Sequence, residues 1–286
     1  MDTTNKVCTE FNQEDIRSLD VELKVGVLAT VNPQGLPHLT MLSSLRPYAP
    51  HGLVWGQFTE GLSKTYIRQN PKVGWLVMSL DKELLRGKAD FSHTAKEGPE
   101  YENYNHLPMF RYNAYFGVHT VYYMDLVEHY GRKPLPMLSV VAAALGTLLA
   151  RTLGSKTGGP QVLNPWVRGL FNKLDNLKFI SYVGPDGYPL VLPLIQTQAL
   201  NASQVIFSTG FYGQELKAIP PGVPMAVFGM SFDMEDVLLR GTYLGIKPVA
   251  GVPCGRVEID WMYNSMPPIP QQVYPPTPIQ AVKNFE

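Results

Sequence analysis

The chain of 286 residues has only two cysteines, Cys8 and Cys254, one near each end, and no C-x-x-C pair. No disulfide framework is expected, and a reducing cytoplasm is the expected location. Charge is also scarce. Charged residues make up 17% of the chain, below the ~25% of an average soluble domain. Lys+Arg 24 cancels Asp+Glu 24, so no basic excess is available to hold nucleic acid or an anionic membrane, and neither is expected as a partner. No apolar stretch precedes Glu10, Glu14 and Asp15, so no signal peptide is expected. The longest uncharged, mainly apolar run, 137–150, is 14 residues, short of the ~20 a spanning helix needs. It is expected as a buried or domain-bridging helix.

Local catalytic signatures are missing too. There is no G-x-G-x-x-G, no G-x-S-x-G and no H-E-x-x-H. Gly154-Ser155-Lys156-Thr157 lacks the glycines of a phosphate loop, with Ser155 before its lysine and Ala150 five residues earlier, and reads as linker. The six histidines, His38, His51, His93, His106, His119 and His129, show no ligand spacing, so no metal is expected.

What the chain has in quantity is turn chemistry, with 25 glycines and 25 prolines, which favours short strands over long helices. It also repeats itself. Residues 27–37, ending Asn32-Pro33-Gln34-Gly35-Leu36-Pro37, align without gaps on 179–189, ending Gly184-Pro185-Asp186-Gly187-Tyr188-Pro189. Each copy reads as strand, tight turn, strand: proline presets φ at the first corner, and glycine supplies the positive φ that other residues resist. Residues 78–87 match 230–241 at eight of ten positions, the second copy carrying the insertion Asp236-Val237. Two homologous β-rich domains in tandem follow.

Short helices are expected at 11–20, capped by Asn12, at 164–176, and somewhere within 97–112, ahead of a strand over 115–128. The stretch 55–71 reads as a buried strand, a polar turn, and a two-turn helix ended by Asn70-Pro71. The tail 266–278, with six prolines in thirteen residues, is expected to be extended and draped over the surface. On residue type alone, Lys64 is an ordinary cation on a solvated helix face, although a helix start bearing Ser63 and Lys64 also suits a phosphate.

The ordered set Leu28-Ala29-Thr30, Gly35-x-Pro37, the apolar strand before Ser63-Lys64, and Asn70-Pro71-x-Val73 resembles the pyridoxamine 5′-phosphate oxidase-like family of FMN-binding split barrels. The match runs over residues 12–130, with a weaker second copy over 164–260. The resemblance implies a mainly β fold with short helices: two tandem six-stranded split barrels forming a pseudo-dimer within one chain, flavin lying where the barrels meet. The domains implied are 1–133, a linker 134–162 holding the apolar helix, and a degenerate second barrel 163–286 with the proline-rich tail.

By the same resemblance, Lys64 is the phosphate-binding lysine and Ser63 its hydroxyl neighbour. Thr40, Met41, Leu42 and Ser43 line the flavin ring, and Gln57, Phe58 and Thr59 flank the ribityl chain and phosphate. The chain departs from the oxidase itself. Thr40 and Leu45 stand where the oxidase carries an arginine and a lysine, and the C-terminal arginine signature is missing from 257–286. Pyridoxal phosphate synthesis is therefore not expected. In the second copy Lys217 persists, but the run 219–224, with three prolines, is expected to replace the helix. One working site per chain is the expectation.

The implied function is an FMN-binding oxidoreductase of unknown substrate, whose partner is a small-molecule substrate or electron acceptor, with a further homodimer left open. The alternatives are a non-enzymatic flavin-binding electron carrier or sensor, a deazaflavin F420 enzyme, or a haem protein ligated through His93, His106 or His119. No catalytic residue is assigned. His38, expected at the surface, and Tyr112 are the nearest candidates.

Overall fold

The structure is a computed structural model and describes residues 7–21, 23–107, 117–154, 160–233, 235–265 and 270–278. The first copy runs α1 (Gln13–Leu19), β1 (Lys24–Val31), β2 (Pro37–Met41), β3 (Arg46–Ala49), β4 (Gly52–Gln57), α2 (Leu62–Gln69), β5 (Lys72–Ser79), β6 (Glu83–Ala95), α3 (Pro99–His106), β7 (Thr120–His129) and β8 (Lys133–Pro134). After α4 (Met137–Gly154) the second copy runs α5 (Pro165–Asn172), β9 (Leu177–Val183), β10 (Pro189–Pro193), β11 (Gln198–Ala199), β12 (Gln204–Ser208), α6 (Gly213–Ala218), β13 (Pro224–Met230), β14 (Asp236–Val249), β15 (Val252–Asn264) and β16 (Gln271–Tyr274).

Each copy forms one eight-stranded sheet. The first has the order β2-β1-β5-β6-β7-β4-β3 with β8 on β6; the second has β10-β9-β13-β14-β15-β12-β11 with β16 on β15. Strand for strand the two main paths are the same, and the pairing is antiparallel. Register repeats as well. Val27 faces Leu76 in the first sheet, and their equivalents Phe179 and Phe228 face each other in the second. The fold is therefore mainly β, two tandem split barrels with short helices. The six strands expected per copy are joined by two short ones, β3 and β8 or β11 and β16.

The repeated turns behave as their residues require. Gly35 takes φ +76 and Gly187 φ +81, and their amides close the turns onto the Asn32 and Gly184 carbonyls at 2.9 Å in both copies. α1 begins at Asn12, whose side chain accepts from the Asp15 amide at 2.8 Å while Asp15 accepts from the Asn12 amide at 3.2 Å. α5 stops at Asn172, short of the expected 176, because the Asn176 side chain turns back to the Leu170 carbonyl at 2.8 Å. α3, Pro99–His106, lies within the stretch expected to hold a helix, and β7 begins at Thr120. Tyr115, the expected start of that strand, lies outside the described residues.

The sequence leaves the place of the insertion open, and two expectations are corrected. The insertion Asp236-Val237 does not enlarge the hairpin loop: Met78 faces Leu84, and Met230 faces Asp236 at the same place. The extra residues instead slide the shared Leu-Leu-Arg-Gly motif along β14, so that Arg240 stands where Lys88 stands in β6, each just before a β-bulge. The second-copy helix is not replaced by the prolines. It forms as the six-residue α6 and ends where they begin. The tail is partly regular, since β16 adds to β15.

Chain contacts divide the molecule into two compact units. The first comprises Met1–Gly35, Thr40–Leu135 and Val183–Val191; the second comprises Leu36–Leu39, Pro136–Tyr182 and Leu192–Glu286. Each has its own core. Leu28, Trp55, Trp75, Val77, Leu85 and Met124 are buried in the first, and Phe171, Ile180, Phe207, Val227, Leu239 and Tyr243 in the second. A separate core per unit is what independent domains require.

α4 departs from its expected burial. It packs on β12 and β15 of its own unit through a narrow face, Ala143, Thr147 and Ala150, with Val140 and Leu148 half-buried, and leaves Leu138, Val141, Leu145, Leu149 and Leu153 exposed.

Candidate functional site

β4 ends at Gln57, a polar turn follows, and α2 begins at Leu62. The helix buries Ser63 and Ile67 on one side, which leaves Lys64 and Arg68, one turn apart, on the other. Across from them run the end of β6 and the start of β7. These meet because Thr94 pairs with Tyr122 and Ala95 with Val121. The result is a cleft of about 410 Å³, lined by Gln57, Glu60, Lys64, Arg68, Lys96, His119 and Tyr122 with Thr65, Gln69, Thr94 and Thr120. That volume lies in the ~300–1,000 Å³ range of small-molecule sites.

A hydrogen-bonded chain crosses the floor. The Gln57 amide donates to Glu60 Oε1 at 2.5 Å, and the Tyr122 hydroxyl donates to Gln57 Oε1 at 3.1 Å. Arg68 Nη2 donates to the Tyr122 hydroxyl at 3.2 Å, its guanidinium 5.9 Å from that ring's centroid. Tyr122 is fixed from behind by Trp55, its direct partner across β4 and β7, at 4.0 Å between centroids and 9° between planes. Burial raises the Tyr122 pKa, offset in part by Arg68, so the phenol stays protonated. The His119 amide donates to the Gln57 carbonyl at 3.1 Å, and its Nδ1 lies 2.8 Å from Thr120 Oγ1.

The balance of charge is positive. Lys64, Arg68 and Lys96 face one carboxylate, Glu60, which Gln57 already engages. Loss of solvent lowers the Lys64 pKa to about 8 against the opposing pull of Glu60. A half-desolvated ammonium, a guanidinium oriented by a tyrosine and an amide make a donor set for a phosphate or carboxylate.

Of the residues expected to hold a cofactor, the structure brings two to this cleft, Gln57 and Lys64. Ser63 is buried beneath α2, its hydroxyl without a partner. Phe58 packs against Val54, Tyr104, Val118 and Val121, and Thr59 is exposed. Thr40 and Met41 are half-buried at the end of β2, Leu42 packs against the first core, and Ser43 sits in the following turn. None of these lines the cleft. Sequence reasoning missed Arg68, Lys96 and Tyr122, and named His119 only as one of three alternative haem ligands. Only Arg68 carried a local signal, its spacing of four from Lys64.

The remaining candidates lie apart. His38 is not at the surface. It is buried within the second unit, edge-on to Tyr263 at 5.5 Å and Trp261 at 6.4 Å, and burial, aided by Arg240, lowers its pKa to about 3, which keeps it neutral. Tyr112 lies outside the described residues. His93 stacks on Tyr123 at 4.4 Å and His106 bonds the Glu102 carbonyl at 2.6 Å, so His119 alone of the three reaches the cleft. At the matching places in the second copy stand Thr209 for Gln57, the buried Leu216 for Lys64 and Pro220 for Arg68. Lys217 takes the register of Thr65 and is exposed in the last turn of α6.

No family model matches the chain, and no curated protein matches it. Among solved structures, it is similar to an FMN-binding protein from Syntrophomonas wolfei subsp. wolfei at 17% identity, covering 43% of this chain and 86% of that one, with a TM-score of 0.37. HupZ from Group A Streptococcus matches at 18% identity over 42% of this chain and 91% of its own, TM-score 0.35. An F420 reductase matches at 19% identity over 42% of this chain and 98% of its own, TM-score 0.34.

Proposed function

We propose that the first unit binds flavin mononucleotide and that the chain is an FMN-dependent oxidoreductase acting on a small molecule. The observation that supports this most directly is the convergence of Lys64, Arg68 and Lys96 on one cleft whose floor is an ordered tyrosine. The donor set fits a phosphate monoester: two cations one helical turn apart, a third across the cleft, and neutral donors between them. Arg68 is oriented in advance by Tyr122, which lowers the ordering cost of ligand capture. When bound, the flavin would supply the electron-transfer chemistry; the chain supplies binding, orientation and the local field. Thr40, Met41, Leu42 and Ser43 are assigned no role in this cleft.

The test is to purify the protein, record its visible spectrum and weigh any released cofactor by mass spectrometry. A flavin spectrum with the mass of FMN supports the reading, and a deazaflavin or haem mass replaces it. Reduction by a nicotinamide donor with steady turnover of an acceptor separates an enzyme from an electron carrier. A colourless protein that ignores added FMN overturns the proposal.

A further inference from the structure

α4 presents a stripe of apolar side chains to solvent. Leu138, Val141, Leu145, Leu149 and Leu153 recur every three or four residues and are all at least half exposed, Leu138 at 90%. That spacing puts them on one face. The opposite face is fastened to the second sheet. Ser208 donates its hydroxyl to the Ala143 carbonyl at 2.8 Å, and Thr147 Oγ1 accepts from the Ser208 amide at 2.9 Å. By length and composition this is the one helix among the described residues able to cross a membrane, but a helix bonded along its flank to a sheet lies flat on that sheet.

Charge along the segment of sequence that carries the stripe is one-sided. From His129 to Leu174 there is no Asp or Glu, while Arg132, Lys133, Arg151, Lys156, Arg168 and Lys173 all fall there. Arg132 is occupied by Glu14 and Glu83. Arg151, Arg168 and Lys173 make no ion pair among the described residues. The zero net charge of the chain conceals this segregation. An apolar face on a helix that carries Arg151 and no acid, in a stretch of sequence without Asp or Glu, is the chemistry that settles into the headgroup boundary of an anionic bilayer.

We infer that α4 is a docking face for an anionic lipid surface, its leucine stripe entering the acyl boundary and Arg151 in its last turn meeting lipid phosphates. The test is co-sedimentation of the full chain with vesicles of phosphatidylglycerol and phosphatidylcholine against vesicles of phosphatidylcholine alone. The wild-type chain is expected to pellet with the anionic vesicles, with partitioning about tenfold lower on the neutral ones. Leu145→Glu with Leu149→Glu, both on the exposed face, should cut partitioning on the order of a hundredfold, the worth of two leucines returned to water, with an unchanged circular dichroism spectrum and melting temperature. Arg151→Glu, which spares the stripe, should reduce binding to the anionic vesicles by about an order of magnitude. Failure of the wild type to pellet overturns the inference, as does equal pelleting of the double variant. A wild-type dimer in light scattering that Leu145→Glu with Leu149→Glu converts to monomer, without lipid binding, assigns the face to a second copy instead.

Discussion

Arg68 Nη2 and the Tyr122 hydroxyl lie 3.2 Å apart, and the same hydroxyl donates to Gln57 at 3.1 Å. One phenol thus ties the helix that carries the cations to the strand that floors the cleft. Tyr122→Phe keeps the stacked ring and removes only this tie. Each lost bond is worth about 1 kcal/mol, so FMN affinity should fall about fivefold, with a melting point only slightly lowered. Fluorescence titration beside a thermal melt checks both; unchanged affinity removes the tyrosine from the site.

Lys64→Ala should weaken FMN binding by about 1.5–3 kcal/mol, the worth of a charge-assisted hydrogen bond. Lys217→Ala, at the register of Thr65 in a copy with no matching cations, should leave affinity unchanged. Because the Lys64 pKa is lowered to about 8 by loss of solvent, the cation is lost as pH rises through that value. Affinity in the wild type should therefore decline between pH 7 and 9, while Lys64→Arg, charged throughout, should flatten the profile. Titrations at three pH values distinguish these outcomes.

Two further lysines set the pH dependence of stability. Lys178 is fully buried and donates to the Lys173 carbonyl, and Lys24 donates to the Leu19 carbonyl at 2.5 Å. Desolvation lowers both pKa values from 10.5 to about 8. Between those values the unfolded chain binds more protons than the folded one, so stability rises with pH across that window. Against this, burial raises the Cys254 thiol pKa from 9.0 to about 11, which lowers stability as pH rises beyond 9, so urea melts should show a midpoint rising between about pH 8 and 9. The Lys64 pKa is shifted over the same window, so Lys178→Met should remove about a third of the rise.

Gly87 and Gly241 close the repeated Leu-Leu-Arg-Gly motif for a shared steric reason. A Cβ on Gly87 would stand 2.1 Å from the Glu128 carbonyl oxygen, and one on Gly241 1.8 Å from that of Glu258. Both obstacles are backbone of the neighbouring strand beside a bulge, where no side chain can swing aside. Gly241→Ala should therefore cost more than about 2 kcal/mol, at the upper end for single changes, read as a lowered denaturation midpoint. A neutral result refutes the close approach.

How far the sequence could be read depended on the range of the determining contacts. The Asn-Pro-Gln-Gly turn, the Asn12 cap and the stop of α2 at Asn70 are decided within four residues, and all were legible. Lys64 was legible as a cation on a short helix. Lys96, His119 and Tyr122 were not, because they reach the cleft only through the pairing of β6 with β7, which joins residues far apart in the chain. The slide of the Leu-Leu-Arg-Gly motif was hidden for a similar reason: aligned letters cannot say whether an insertion lengthens a loop or a strand. The exposure of α4 was hidden because its narrow contact face consists of alanines and a threonine, and the leucines that usually mark a core lie on the other side.

The two residues added to β14 also say something about how duplicated sheets drift apart. A pleated strand sends alternate side chains to opposite faces, so an insertion of two advances the sequence by one full pleat and returns every side chain to its own face. An insertion of one would have turned Val237, Leu239 and their neighbours out of the core. Length change within a strand is thus filtered by parity, and even steps pass where odd ones do not. In such a pair of copies, position in the alignment and position in space can part company while the hydrophobic pattern stays silent, as Arg240 in the place of Lys88 illustrates.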